Sequence, residues 1–141
     1  MIRIFQTSIF FIFFNLIYGQ SEFIYILGNV QDAGLPHIGC QHKFCKEKFN
    51  EFEEYFTTSI AVVDPLERKY ILFEASPDLP YQLNYLEKEI FNEFLLPESI
   101  YITHAHIGHY TGLMYFGREA LGAKNLMVKV LPKMGDFLRT N

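Results

Sequence analysis

The stretch THAHIGHYTG places three of the chain's five histidines, at positions 104, 106 and 109, close together. It directly follows the apolar run Ile100–Ile102, which is typical of a β-strand. In an extended segment, residues i and i+2 project to the same side, so His104 and His106 can reach one point. Gly108 lets the backbone turn and bring His109 back toward that point. Because neutral imidazole is a common ligand of zinc and related transition metals, we predict that the three histidines bind a metal.

Five apolar runs bounded by turn-forming residues predict β-strands. They cover residues 23–28, 58–64, 69–75, 99–103 and 126–131. The turn Pro65–Arg68 joins the second and third runs as a hairpin, while the other runs are separated by longer segments with helical character. We therefore predict an α/β (α+β) domain with a mixed β-sheet and helices packed on it.

Helices are indicated by the spacing of apolar side chains between the strands. Phenylalanines at 49, 52 and 56 suit one face of a short helix over residues 44–56, for which a polar loop is the alternative. A longer apolar stripe comprises Leu79, Leu83, Leu86, Ile90 and Phe94. We expect Asp78 to cap that helix, Pro80 to lie in its first turn and Pro97 to stop it. Residues 112–121 predict another helix with Gly122 as its C-terminal cap, and a last helix begins near residue 135.

The overall composition fits one globular domain at most, with 141 residues of which 50% are hydrophobic. The formal net charge is −4, and lysine and arginine occur only as scattered residues and pairs. Proteins that bind nucleic acids or anionic lipids present clustered positive charge. We therefore expect no nucleic-acid partner.

Residues 1–20 have the pattern of a secretory signal peptide. A short basic start, Met1–Arg3, precedes an apolar run that ends in small residues at Gly19–Ser21. A membrane-spanning helix needs ~20 apolar residues, and this run is shorter and interrupted. We predict a cleaved signal, a secreted or periplasmic mature protein and no stable membrane anchor. A buried N-terminal strand is the alternative.

Export affects the interpretation of Cys40 and Cys45, which stand in the stretch GCQHKFC. An oxidising compartment permits a disulfide between them. With His42 between them, the same stretch also has the ligand types of a zinc site, one ligand short of four. A disulfide, a zinc site and free thiols all remain open from the sequence.

The segment HAHIGH is similar to the HxHxDH signature of the metallo-β-lactamase superfamily. Two further stretches, ILGNVQDAGLPHIGC and LFEASPDLPYQL, together with the region that follows the histidines, resemble a narrower branch. That branch consists of proteins similar to pyrroloquinoline quinone biosynthesis protein B. The resemblance runs from about Phe23 to the end of the chain. It implies an αββα sandwich of which residues 21–141 form a partial, N-terminal domain, so we expect the chain to be a fragment.

The resemblance also implies roles for the histidines. His104 and His106 match the ligands of a first zinc ion, which a later histidine completes, and His109 matches a ligand of a second metal. Gly108 stands where the signature has the aspartate that binds the second metal and orients the attacking water. We therefore expect one zinc ion, with a second bound weakly or not at all. No histidine follows His109 in this sequence.

Several other polar residues have a structural interpretation beside a functional one. Asp78 lies near the place where relatives keep an acidic residue, but we prefer its role as a helix cap. Asp32 and His37 could line a cleft, although a solvated turn is the preferred interpretation. Tyr110 and Thr111 are expected to start a helix. No residue outside the metal ligands is assigned a catalytic role.

These patterns favour a metal-dependent hydrolase-like protein in which a zinc-activated water attacks a small-molecule substrate. An accessory or oxidative role in pyrroloquinoline quinone biosynthesis, with iron in place of zinc, is the first alternative. A metal-binding remnant without turnover is the second. Neither the substrate nor the oligomeric state is indicated by the sequence.

Overall fold

The computed structural model of the chain describes residues 21–50 and 55–140. Its strands form one mixed sheet in the spatial order β1-β2-β3-β4-β5. The first three strands pair antiparallel, and β4 and β5 add to β3 in parallel. The strands are β1 Phe23–Gly28, β2 Ser59–Asp64, β3 Lys69–Phe73, β4 Ser99–Ile102 and β5 Met127–Val130. The predicted fold class, the hairpin and all five predicted strands are confirmed.

Helical segments connect the strands. The α-helices are α1 Lys43–Asn50, α2 Leu79–Leu86, α3 Ile107–Tyr110 and α4 Pro132–Thr140. A π-helical turn, Glu87–Phe91, continues α2, and a 3-10 segment, Thr111–Phe116, continues α3. Within residues 21–50 and 55–140, no helix is both long and apolar enough to cross a membrane. The predicted signal peptide, residues 1–20, lies outside the described residues.

The core lies between one face of the sheet and α2. Ala61 and Val63 of β2 and Leu72 of β3 alternate with less buried neighbours, as the two-residue period of a strand requires. Leu79 and Leu83 recur at helical spacing and are buried against that face. The two periodicities therefore define one apolar layer between the helix and the sheet.

The apolar stripe of the second helix ends earlier than its spacing predicts. Leu86 and Phe91 are buried, but Asn92 adopts a left-handed conformation with φ 56° and ends the helical segment. The prediction that the stripe continues to Phe94 and stops at Pro97 is therefore wrong, since Phe94 is exposed after that turn.

Asp78 occupies the N-cap position of α2 but its side chain does not cap the helix. Its Oδ2 accepts a hydrogen bond of 2.8 Å from the backbone N–H of Thr57 instead. The buried side chain of Gln82 donates to the carbonyl of Thr57 at 2.7 Å and accepts from the hydroxyl of Ser76 at 2.8 Å. The capping prediction fails because the chain entering β2 offers a backbone donor, and the resulting network fixes that chain to α2.

The helix predicted over residues 112–121 is also wrong. The 3-10 segment ends at Phe116, and Gly122 has φ +63° in a later turn, where its N–H donates to the carbonyl of Gly117 at 2.8 Å. The reason lies at Gly112, whose N–H donates to the carbonyl of Ala75 at 2.8 Å rather than within the helix. This tertiary bond diverts the chain from α-helical pairing.

Cys40 and Cys45 form a disulfide, with their Cα atoms 6.0 Å apart. Of the three states that the sequence left open, the structure therefore has the disulfide. It closes the loop that leads from β1 into α1.

Replacing Leu72 with alanine tests the proposed core. Leu72 is fully buried, and we expect Leu72→Ala to lower the free energy of unfolding by about 2–5 kcal/mol because it removes apolar contacts and leaves a cavity. Urea unfolding followed by circular dichroism measures the change. Leu66 lies in the β2–β3 turn with 70% exposure, so the matched change Leu66→Ala is expected to cost at most about 0.5 kcal/mol. Equal effects of the two substitutions would contradict this core.

Candidate metal centre

Three strand ends meet at the histidine cluster. Since β2 runs antiparallel to both β1 and β3, and β4 runs parallel to β3, the strands β1, β3 and β4 point in the same direction. Their carboxyl ends lie at one edge of the sheet, where sheet-and-helix proteins commonly place ligand sites. The segments that follow them carry Asp32, Glu74 and the histidine-bearing stretch His104–His109.

Backbone hydrogen bonds hold the histidine-bearing segment against the end of β3. The N–H of Ala75 donates to the carbonyl of His109 at 2.8 Å, and the carbonyl of Ala75 accepts from Gly112 at 2.8 Å. A Cβ atom at Gly112 would lie 2.0 Å from the carbonyl oxygen of Ser76. Glycine is therefore required for this close approach, which holds the 3-10 segment after α3 against the residues that follow β3.

The three histidines predicted as ligands lie together. The ring centroid of His104 is 4.5 Å from that of His106 and 4.1 Å from that of His109. The hydroxyl of Thr103 lies 2.7 Å from His104 Nδ1 and orients that ring. The side chain of His106 is 70% exposed, whereas that of His109 is only 13% exposed. The cluster thus has one largely enclosed imidazole, His109, and two exposed ones.

Asp32 joins this cluster from the loop after β1. Its Oδ1 lies 2.8 Å from His109 Nε2, and its Oδ2 lies 2.9 Å from His106 Nδ1. The hydrogen bond with His109 holds the pKa of the Asp32 carboxyl below its ordinary value, and the nearby charges of the two histidines act in the same direction. The interpretation of Asp32 as a solvated turn residue is therefore wrong, because the fold of the β1–α1 loop places its carboxylate between two imidazoles.

A metal could be held by the group formed by Asp32, His104 and His109. One ligand atom from each residue can be chosen so that all lie within 4.8 Å of one another. His106 contacts the same carboxylate and lies at the exposed rim of the group. His37, by contrast, is exposed, and its Nδ1 lies 2.8 Å from the carbonyl of Ile38, so the structure does not bring it into the cluster.

Glu74 is a residue of the site that the sequence analysis missed. It is buried, with φ 67°, and its Oε2 lies 3.4 Å from His109 Nδ1, outside hydrogen-bond geometry. It also accepts a 3.4 Å hydrogen bond from the N–H of Thr103. An acidic residue at the end of the apolar run YILF was the available signal. The sequence analysis considered only Asp78, four residues later, for the acidic residue that relatives keep near this place, and preferred a capping role for it.

The chemistry of these donors fits a metal ion. His109 has a carboxylate at each ring nitrogen, Asp32 at Nε2 and Glu74 at Nδ1. Histidines that ligate metals usually direct their second ring nitrogen at a carboxylate or carbonyl, which orients the ring. Two imidazoles and a carboxylate are a ligand set found for catalytic zinc and also for non-haem iron. The residues present therefore fit either metal.

A cavity of about 240 Å³ adjoins Asp32. The β1–α1 loop forms one wall, and Tyr55, Pro77 and Asp78 contribute to the others. A separate apolar groove of about 290 Å³ lies between α2 and the 3-10 segment, lined by residues such as Leu83 and Tyr115. Neither is lined by a histidine, but Asp32 lines the polar cavity and connects it to the candidate site.

Comparison with solved structures establishes what this arrangement is similar to. Zinc-bound PqqB from Methylobacterium extorquens matches with a TM-score of 0.66 and 20% identity, over 84% of this chain and 40% of that chain. The described sheet and helices match part of the metallo-β-lactamase fold. A diphosphatase from the PhnP family matches with a TM-score of 0.60 and 23% identity, over 84% of this chain and 44% of that chain. The resemblance to PqqB expected from the sequence is thus confirmed for the fold.

The chain spans less than half the length of these two structures. No family model matches the chain, and no curated protein matches it in sequence. The assignment of this fold therefore depends on the arrangement of the sheet and helices described above.

The pH dependence of stability tests the environment of Asp32. A depressed carboxyl pKa means that the folded state favours the ionised form, so the stabilisation is complete above the ordinary pKa of 3.8 and disappears as the pH falls through the lower, folded value. We expect the difference in unfolding free energy between the unsubstituted chain and Asp32→Asn to be larger at about pH 5 than at about pH 2.5, because the Asp32 carboxyl is ionised only at the higher pH. Urea unfolding of metal-free protein measures it. A difference that does not change between pH 6 and pH 2.5 would contradict the assigned contacts.

Proposed function

We propose that this chain carries the metal-binding part of a metal-dependent hydrolase that acts on a small-molecule substrate. The observation that carries the proposal is the convergence of Asp32, His104 and His109 beside a cavity, at the edge where three strands end. The likeness of the fold to a zinc-bound protein and to a diphosphatase supports it. A phosphate ester or anhydride is accordingly the substrate class to test first.

Each residue of the site has a role in the proposed hydrolase. His104 and His109 hold the metal, the carboxylate of Asp32 lies beside them, and His106 lies at the exposed rim. The carboxylate of Glu74 lies 3.4 Å from Nδ1 of His109, on the buried side of that ring. When bound, a zinc ion supplies a Lewis acid and an acidified water as nucleophile. The cavity beside Asp32 admits the substrate, and Asp32 keeps its carboxylate ionised next to the histidines.

An iron-dependent oxidative or accessory role in quinone cofactor formation is a second proposal. It is favoured by the likeness to PqqB and by a ligand set of two histidines and one carboxylate, which suits iron as well as zinc. The identity of the metal in the isolated protein distinguishes the two.

We also propose that the protein is exported. The signal-like pattern of residues 1–20 supports this, and so does the Cys40–Cys45 disulfide, because disulfides persist in oxidising compartments.

Metal content and hydrolysis test the leading proposal together. We expect the purified protein to contain about one equivalent of zinc by elemental analysis, and His109→Ala to contain less than about a tenth of that, because His109 is the most enclosed of the three histidines. Hydrolysis of bis(p-nitrophenyl) phosphate is expected to stop after chelation and to return with added zinc. His42→Ala, an exposed histidine in the loop before α1, is the matched control and is expected to keep both properties.

The other outcomes separate the alternatives. Iron in place of zinc, without phosphodiester hydrolysis, would favour the oxidative role. Bound metal without turnover would contradict a hydrolase and leave the non-catalytic metal-binding protein. Equal metal content in His109→Ala and the unsubstituted chain would contradict the site itself.

A further inference from the structure

The backbone of the β1–α1 loop occupies the space that a side chain at position 108 would need. Gly108 is buried in α3, and a Cβ atom there would lie 2.5 Å from the Cα of Asp32 and 2.6 Å from its carbonyl oxygen. These are backbone atoms, so no change of side-chain conformation relieves the contact. Gly108 does not have a positive φ, and the expectation that it is glycine in order to turn the chain is therefore wrong.

The same loop brings a carboxylate to the histidines. The Asp32 oxygens lie 2.8 Å from His109 and 2.9 Å from His106, the two histidines on either side of Gly108. Position 108 thus lacks the carboxylate of the HxHxDH signature. Asp32, whose backbone excludes a side chain at position 108, places its own carboxylate beside His106 and His109. Both the exclusion of a side chain at position 108 and the placement of the carboxylate result from one contact between the β1–α1 loop and α3.

We propose that Asp32 is the carboxylate ligand of the metal in place of the signature's aspartate, and that Gly108 is glycine because the Asp32 backbone must approach it. This proposal rests on the proposed function, since it assigns a ligand to the metal of that site. With glycine at position 108, the histidine segment lacks the negative charge of the signature's aspartate. Asp32, more than seventy residues earlier in the sequence, supplies that charge, so the site keeps a carboxylate and its affinity for a divalent metal.

The loop is held firmly enough to position such a ligand. Val30 donates its N–H to the carbonyl of Phe56 at 3.0 Å, and its carbonyl accepts from the N–H of Thr58 at 2.9 Å. The side-chain hydroxyl of Thr58 donates to the same carbonyl at 2.8 Å. Asp32 follows two residues later, and the N–H of Gly34 closes the turn on the carbonyl of Gln31 at 2.9 Å. Ligands that are fixed before the metal arrives bind it with less loss of conformational entropy.

Metal affinity of Asp32 variants tests the ligand assignment. We would measure Zn²⁺ affinity by competition with a chromophoric chelator, and the visible spectrum of the Co²⁺-loaded protein. Loss of an outer partner of a ligand lowers metal affinity about 10–100-fold, and we expect Asp32→Asn to lower it at least that much and to change the Co²⁺ spectrum. Asp32→Glu, which keeps the carboxylate, is expected to bind more tightly than Asp32→Asn. Asp136→Asn, an exposed carboxylate on α4, is the matched control and is expected to bind as the unsubstituted chain does.

The outcomes distinguish this proposal from the proposed function. If the unsubstituted chain binds neither Zn²⁺ nor Co²⁺, the metal-dependent function itself is wrong. If it binds both and Asp32→Asn binds them equally tightly with the same spectrum, the site stands and Asp32 is not a ligand. Circular dichroism of each variant shows whether it is folded, and Asp32→Asn introduces no steric conflict because it is nearly isosteric.

A double-mutant cycle tests the steric role of Gly108. Gly108→Ala removes no ligand, but we expect it to weaken Zn²⁺ binding at least about tenfold, as loss of a group that positions a ligand does, because the added Cβ displaces the Asp32 backbone. In the Asp32→Asn background the same substitution is expected to have little further effect, since groups that act through one contact are not additive. Unchanged affinity of Gly108→Ala, or an equal loss in both backgrounds, would overturn the steric link.

Discussion

The close packing of α3 and of the 3-10 segment that continues it on two neighbouring segments is the constraint on which the site depends. Gly108 and Gly112 lie one helical turn apart, and each is in contact with backbone atoms, of Asp32 in one case and of Ala75 and Ser76 in the other. Side chains at these two positions would hold the helical segment away from both neighbours. The histidines would then lie too far from the carboxylates of Asp32 and Glu74 to contact them. The absence of side chains at positions 108 and 112 therefore determines how the histidines lie relative to the two carboxylates.

The sheet supplies the frame for this packing. Because β1, β3 and β4 point in the same direction, the loops that follow them meet at one edge, although they are distant in sequence. The network around Gln82 joins the chain entering β2 to α2, and the pairing of Val30 joins the β1–α1 loop to that same chain. The acidic residues of the site are thus positioned by hydrogen-bonded backbone rather than by contacts among themselves.

The local elements could be predicted from the sequence because they depend on short-range periodicity. The strands follow from apolar runs and the core face of α2 from Leu79, Leu83 and Leu86, and the clustering of the histidines from their spacing. The contacts of Asp32 and Glu74 with the histidines could not be predicted in this way, since these contacts form between segments that are distant in sequence. Gly108 was misinterpreted for the same reason, because a close backbone approach leaves no local pattern in the sequence. The helix over 112–121 failed where a tertiary hydrogen bond to Ala75 replaced a local one.

The most direct test of the account is the position of the metal itself. Crystals of the zinc-loaded protein, measured on both sides of the zinc absorption edge, give an anomalous difference map that locates the ion without reference to any assumed ligand. We expect a peak at about 2.0–2.2 Å from nitrogens of His104 and His109 and from an oxygen of Asp32. A peak among the histidines with the Asp32 carboxylate turned away, or a peak elsewhere in the protein, would contradict it.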